Sequence, residues 1–202
     1  MALNKKEKEF IEILNDLEKK YKSKRRIRNY DFIPGLIFEI FTTGYQVMDA
    51  VRFVDTLEEK YVDWNEVRVT PLKVLQKELD MEIDDLEFLS YSKCVLQSMF
   101  EELGSFSASQ FTECEPEECL EKLVETGIDS EIVAKALVTY LDIPIMPLPD
   151  EVLRMLKKIG TFSNKASRSR VRSFFTKLEE AGAIEVYKAY RLVQEHADQY
   201  CF

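Results

Sequence analysis

Three observations predict an all-α fold for this chain. Apolar residues recur at helical spacing along most of its length, no segment alternates as a half-buried strand does, and only six Gly and six Pro interrupt 202 residues. With 46% hydrophobic residues the chain can bury a real core, as one larger domain or as two small ones sharing a cleft.

Taken in order, Phe10, Leu14, Leu17 and Tyr21 form one helical stripe, and Ile37, Ile40, Phe41, Met48 and Val51 continue the pattern. Pro71 after Thr70 marks the next helix start, because the first turn has no use for the N–H that proline lacks. Leu86, Leu89, Val95, Met99 and Leu103 define a long helix, and Pro116 after Glu115 opens another. The stretch 119–160 reads as an amphipathic helix, a short hairpin containing Gly127, a second helix, a Pro-rich bend, and a third helix opening after Pro149 at Asp150 and Glu151. There is no low-complexity linker and no internal repeat.

Several function classes are excluded. No window approaches the roughly 18 consecutive apolar residues of a membrane helix, and MALNKKEKEF is too polar for a signal peptide, so a cytoplasmic location with no membrane partner is expected. A monomer is expected. Cys94, Cys114, Cys119 and Cys201 show no CxxC spacing, so neither a zinc site nor a disulfide framework is indicated and reduced thiols are the plain reading. There is no Gly-rich phosphate loop and no His-Glu-x-x-His, and the sole histidine, His196, reads as a helix-surface residue. Adjacent acids such as Asp84 and Asp85, or Glu117 and Glu118, diverge around a helix and read as solvated faces.

The layout of 119–160 resembles the helix-hairpin-helix base-excision repair superfamily, endonuclease III in particular. There the pattern is Leu-Pro-Gly-Val-Gly-x-Lys-Thr-Ala, a helix, then Pro-Val-Asp-x-x-Val-x-Arg-x-x-x-Arg-Leu-Gly. Gly127 and Ile128 fall on the hairpin, Pro147 on the family Pro, Val152 and Arg154 on the helix after the catalytic Asp, and Lys158 to Gly160 on its end. The likeness extends from Pro34 onward. It implies a six-helix domain over 36–147, a second helical domain built from 1–35 plus 148–202, and a DNA-holding cleft between them.

The resemblance also locates the chemistry and shows where this chain departs from it. Bifunctional members use a hairpin Lys as a Schiff-base nucleophile and a carboxylate about eighteen positions on for electrostatic and proton-transfer assistance. Those positions hold Glu131 and Pro149 here. Asp150, one residue beyond, either points into the cleft as a charged group or caps its helix, and the cap is the simpler reading. Lys135, one turn after Glu131, either pairs with it or is a displaced nucleophile, and the pair is the simpler reading. The family Gln that fills the space of a flipped base falls at Gly44 in IFTTGYQV, leaving Tyr45 and Gln46 as substitutes or as core contact and helix surface. Only Cys201 lies where many relatives carry four cluster-ligating cysteines, so no iron–sulfur cluster, metal or other cofactor is expected.

In VDWNEVRVTP, Trp64, Asn65 and Arg68 are suited to stacking and hydrogen bonding with nucleic acid, and some endonuclease III-like sequences carry a similar Asp-Trp-Asn-Glu stretch. The plainer reading is a buried Trp with Asp63 or Asn65 capping the next helix. The net charge of −9 opposes duplex binding, which depends on Lys and Arg displacing counterions, but the charge is unevenly distributed. KKYKSKRRIR and KKIGTFSNKASRSRVR are basic, while 78–89 and 113–131 concentrate acids, including Asp129 and Glu131 at the hairpin.

These readings lead to an endonuclease III-like protein that binds damaged or distorted duplex DNA with weak or absent glycosylase/lyase activity. Gln46, Trp64, Asn65, Arg68, Gly127, Ile128, Arg154, Lys165, Arg168 and Arg170 are the expected DNA contacts. Asp150 acting with water is the expected catalytic group if any activity survives, with Lys135 as the remoter candidate. The alternative is a catalytically inactive helical module that serves a protein partner or a regulatory role.

Overall fold

The computed structural model describes residues 3–21, 29–82, 86–111 and 114–200. Among them every regular element is helical. The α-helices are α1 (Lys5–Tyr21), α2 (Phe32–Phe41), α3 (Val47–Lys60), α4 (Trp64–Val69), α5 (Leu72–Leu79), α6 (Leu86–Leu103), α7 (Pro116–Glu125), α8 (Ser130–Tyr140), α9 (Asp150–Lys158), α10 (Arg168–Glu180) and α11 (Val186–Tyr200), with a 3-10 turn at Ala108–Phe111. No described helix is long and apolar enough to cross a membrane. By packing, the chain divides into a unit of residues 29–136 and a unit of residues 1–28 with 137–202.

The 29–136 unit is organised around α2. Its sequence, FIPGLIFEIF, is apolar on every side, so the helix has no face to give to water and is buried throughout except at Glu39. It packs against α3 and α6, while α5 packs on both of those and α4 packs on α6. Leu36, Ile37, Ile40, Phe41, Val54, Leu57, Leu75, Leu96 and Met99 fill this core. α5 ends on Asp80 in the left-handed region (φ 52°), a helix stop that a short polar side chain tolerates.

The second unit joins the two ends of the chain. α1 and α9 both pack on α11, and α10 packs against α11. Phe10 of α1 meets Phe175 edge-on with ring centroids 5.3 Å apart, and Phe174 completes edge-to-face pairs with Phe10, Phe162 and Phe175. Tyr21 Oη lies 2.6 Å from His196 Nδ1, tying the C-terminal end of α1 to α11. This corrects the surface reading of His196: it is half-buried, and burial, reinforced by Lys20, holds its pKa below the ordinary histidine value.

Between α8 and α9 the irregular segment 141–149 is fastened along one face of α10. The side chains of Arg168, Arg172 and Thr176 donate to the carbonyls of Leu148, Met146 and Pro144 at 3.3, 3.2 and 3.2 Å. Four residues of helix rise about 6 Å and two residues of extended chain advance about 6.6 Å, so positions i, i+4 and i+8 of a helix fall in register with every second carbonyl. The prolines at 144, 147 and 149 cannot donate backbone hydrogen bonds, so the strap cannot join a regular ladder, and the Pro144, Met146 and Leu148 carbonyls accept from side chains instead. Arg172, counted with the basic run by sequence, is 6% exposed and holds the strap, so it is not available to a partner.

Candidate nucleic-acid interface

In the 29–136 unit, α7 and α8 are joined by a turn over 126–129. Gly127 adopts φ +89°, a backbone region costly for residues with a Cβ, and Ile128 drives its side chain into the core at 2% exposure. Asp129 precedes α8, and its Oδ1 accepts from the backbone N–H groups of Glu131 at 2.8 Å and Ile132 at 3.3 Å. The Tyr91 hydroxyl, from α6, accepts from the Asp129 N–H at 3.0 Å and donates to the Gly127 carbonyl at 3.4 Å.

A helix start attracts anions because its first N–H groups are unpaired. At α8 an internal carboxylate already engages two of them, and a tyrosine hydroxyl takes a third donor of the turn. Ile128, expected to contact DNA through the hairpin backbone, buries its side chain. Only Gly127 of the two hairpin residues is exposed.

The turn between α2 and α3 carries the next departure. A Cβ on Gly44 would stand 2.1 Å from Phe88 Cζ, so glycine leaves room for an aromatic ring of α6. Tyr45 packs edge-on against Phe53 at 5.0 Å and Phe88 at 5.4 Å, which makes it a core contact. Gln46 is exposed at the start of α3 and makes no cap hydrogen bond. We expect Gly44→Ala to lower stability by about 1–3 kcal/mol through overpacking, and to cost less when it is made in a Phe88→Ala background, both read in urea unfolding. A neutral Gly44→Ala would mean that the ring swings aside without cost.

Asp63 caps α4, accepting from the Glu66 N–H at 2.8 Å, while Glu66 Oε2 accepts from the Val62 N–H at 2.9 Å. Trp64 is half-buried. Arg68 donates through Nε and Nη2 to Asn65 Oδ1 at 3.0 and 2.8 Å and through Nη1 to Gln97 Oε1 at 2.5 Å, with its guanidinium 4.2 Å from the Phe100 ring centroid. Lys93 Nζ donates to the carbonyls of Arg68, at 2.6 Å, and Thr70, closing the C-terminal end of α4. Burial, and then the Arg68 charge, push the Lys93 pKa down. The Asn65 and Arg68 pair is thus held internally, and Asp63 is the cap. Tyr91, Lys93, Gln97 and Phe100 were not singled out by the sequence reading, because each acts over more than twenty residues of chain.

In the other unit, Asp150 opens α9 after Pro149, and its side chain does not cap the helix. It accepts from Arg168 Nη2 at 2.5 Å with the carboxylate 81% exposed, which corrects the capping reading. Arg168 is fixed in turn by the Leu148 carbonyl, so the strap and α10 together aim the pair. On α9 and α10 and in the loop between them, Arg154, Lys158, Lys165 and Arg170 are exposed. Ser167 caps α10, accepting from the Arg170 N–H at 3.3 Å. Lys135 is half-buried on the part of α8 that belongs to the 29–136 unit, a different unit from Asp150. Lys22, Lys24, Arg25, Arg26 and Arg28 of the first basic run, and Cys201, lie outside the described residues.

No family model and no curated protein sequence matches this chain. Solved structures do. An endonuclease III–DNA covalent intermediate superposes with a TM-score of 0.66 at 12% identity, over 95% of this chain and 85% of that one. A Clostridium acetobutylicum 8-oxoguanine glycosylase/lyase bound to double-stranded DNA gives 0.68 at 13% identity, over 100% and 72%. A Helicobacter pylori 3-methyladenine DNA glycosylase bound to 1,N6-ethenoadenine gives 0.65 at 16%, over 96% and 97%. The chain has the all-α endonuclease III-like fold of these DNA glycosylases.

Proposed function

We propose that this protein, folded as an endonuclease III-like glycosylase, is a divergent repair protein that binds damaged or distorted duplex DNA with weak or absent glycosylase/lyase activity. The exposed cations Arg154, Lys158, Lys165 and Arg170 on and between α9 and α10 carry the reading, because they gather positive charge on a chain whose net charge is −9. Their role is to neutralise backbone phosphates, a sequence-independent contact. Glu131 and Pro149 stand where the resemblance places the nucleophile and its carboxylate, so Schiff-base chemistry has no amine at the expected position. The favoured residual activity is monofunctional: Asp150, oriented by Arg168, accepts a proton from water as the water attacks the sugar C1′, and the glycosidic C–N bond breaks with the base leaving on its bonding pair. Lys135 is the remoter nucleophile.

A second reading is a helical protein-interaction or regulatory module in the cytoplasm. It is favoured by the Asp129 carboxylate occupying the N–H groups of α8 that would otherwise meet a phosphate. Fluorescence anisotropy with a duplex carrying an abasic-site analogue, beside the undamaged duplex and across a salt series, separates the two. Lesion preference that weakens with salt supports the repair reading, and Asp150→Asn then tests turnover. Absence of binding at low salt sinks it in favour of the interaction module.

A further inference from the structure

The segment leading into α7 brings two cysteines and a lysine together, away from the residues assigned to DNA. Glu115 is the N-cap of α7 and Pro116 its first residue, so Cys114 occupies the position before the cap and Cys119 the fourth position of the helix. Side chains at these two positions pack against each other as a staple over the first turn. Here both staple residues are thiols, and Cys114 lies close enough to add to the upward shift of the Cys119 pKa. Lys122 Nζ donates to Cys114 Sγ at 3.3 Å and pairs with Glu118 at 2.9 Å. Cys119 is fully buried and donates to the Phe111 carbonyl at 3.6 Å, whereas Cys114 is half-buried.

The geometry points to Cys114 as a peroxide-oxidised thiol resolved by Cys119, forming a disulfide that pins the entry of α7. Lys122 donates to the Cys114 sulfur at 3.3 Å, and a thiolate is the form that attacks peroxide. That sulfur takes one peroxide oxygen, the O–O bond breaks, and the departing hydroxide leaves as water, giving a sulfenic acid. The Cys119 sulfur then attacks the Cys114 sulfur, the S–O bond breaks, and the hydroxyl leaves with the Cys119 proton as a second water. Two thiols and one peroxide become one disulfide and two waters. Burial pushes the Cys119 thiol up to about 12, so it is a poor first target and acts only as the neighbour that closes the bond. Cys94 on α6 is exposed and is the internal reference.

Reduced full-length protein is treated with hydrogen peroxide, alkylated and cleaved after glutamate without reductant. Cuts after Glu117 and Glu118 separate Cys114 from Cys119, so the disulfide is read as a linked peptide pair. The expected result is a Cys114–Cys119 link, reversed by dithiothreitol, formed at peroxide levels that leave Cys94 alkylatable. Cys119→Ser should leave a Cys114 sulfenic acid that dimedone captures, and Lys122→Met should slow oxidation several-fold. Oxidation of Cys94 ahead of Cys114, a Cys114 sulfenic acid beside a free Cys119 in the unmutated chain, an unchanged rate in Lys122→Met, or no oxidation would each overturn the assignment.

Discussion

Replacing Lys158, Lys165 and Arg170 together with alanine is expected to weaken duplex binding on the order of 10²-fold at 0.1 M salt and to flatten the dependence of log affinity on log salt by about 3. Each exposed cation that neutralises a phosphate releases a condensed counterion, and each one removed takes about one unit from the slope. Arg168 is left in place because it holds the Leu148 carbonyl and Asp150. Net charge alone is controlled by a second triple variant, Lys60, Lys73 and Lys77 to alanine, exposed residues of the other unit. Both variants lower the charge from −9 by three, so a local interface predicts loss in the first and little change in the second. Equal losses in the two would remove α9 and α10 from the interface.

Phe175→Ala is expected to cost about 3–5 kcal/mol, a large share of the roughly 5–15 kcal/mol by which domains of this kind are stable. Phe175 is 0% exposed and meets Phe10 and Phe174 edge-on at 5.3 and 5.7 Å, so truncation removes its own burial and leaves an uncollapsed cavity between α1 and α10. Urea unfolding followed by circular dichroism measures the effect as a lower midpoint. A change below about 1 kcal/mol would show that the first helix does not depend on this core for its place.

The helices were legible because helical spacing is a local signal: Phe10, Leu14 and Leu17 name a buried stripe within eight residues, and the structure buries all three. The α4 cap was half legible for the same reason: Asp63 and Asn65 were both candidates, and the structure chooses Asp63, which accepts from the Glu66 N–H while the Glu66 carboxylate accepts from the Val62 N–H. The state of the α7–α8 turn was only half legible. Asp129 and Glu131 announced a wrong charge for a phosphate contact, but the Tyr91 hydroxyl that closes the turn comes from 36 and 38 residues earlier in the chain. Gly44 read as a missing side chain, whereas the structure makes it the space that Phe88 occupies.

The sequence by itself determined the all-helical class, the helix starts at Pro71, Pro116 and Pro149, the absence of an amine at position 131, and the clustering of Lys and Arg over 157–172. These follow from the residue types within one or two turns of helix. Only the tertiary structure decided which of the chain's basic side chains are exposed and which are taken up internally. Arg172 is buried on the Met146 carbonyl, Arg68 is taken up by Asn65 and Gln97, Arg168 holds Asp150, and Arg154, Lys158, Lys165 and Arg170 remain exposed. A guanidinium carries the same charge in every context, and its availability depends on which carbonyls and carboxylates the packed helices bring within about 3 Å of it.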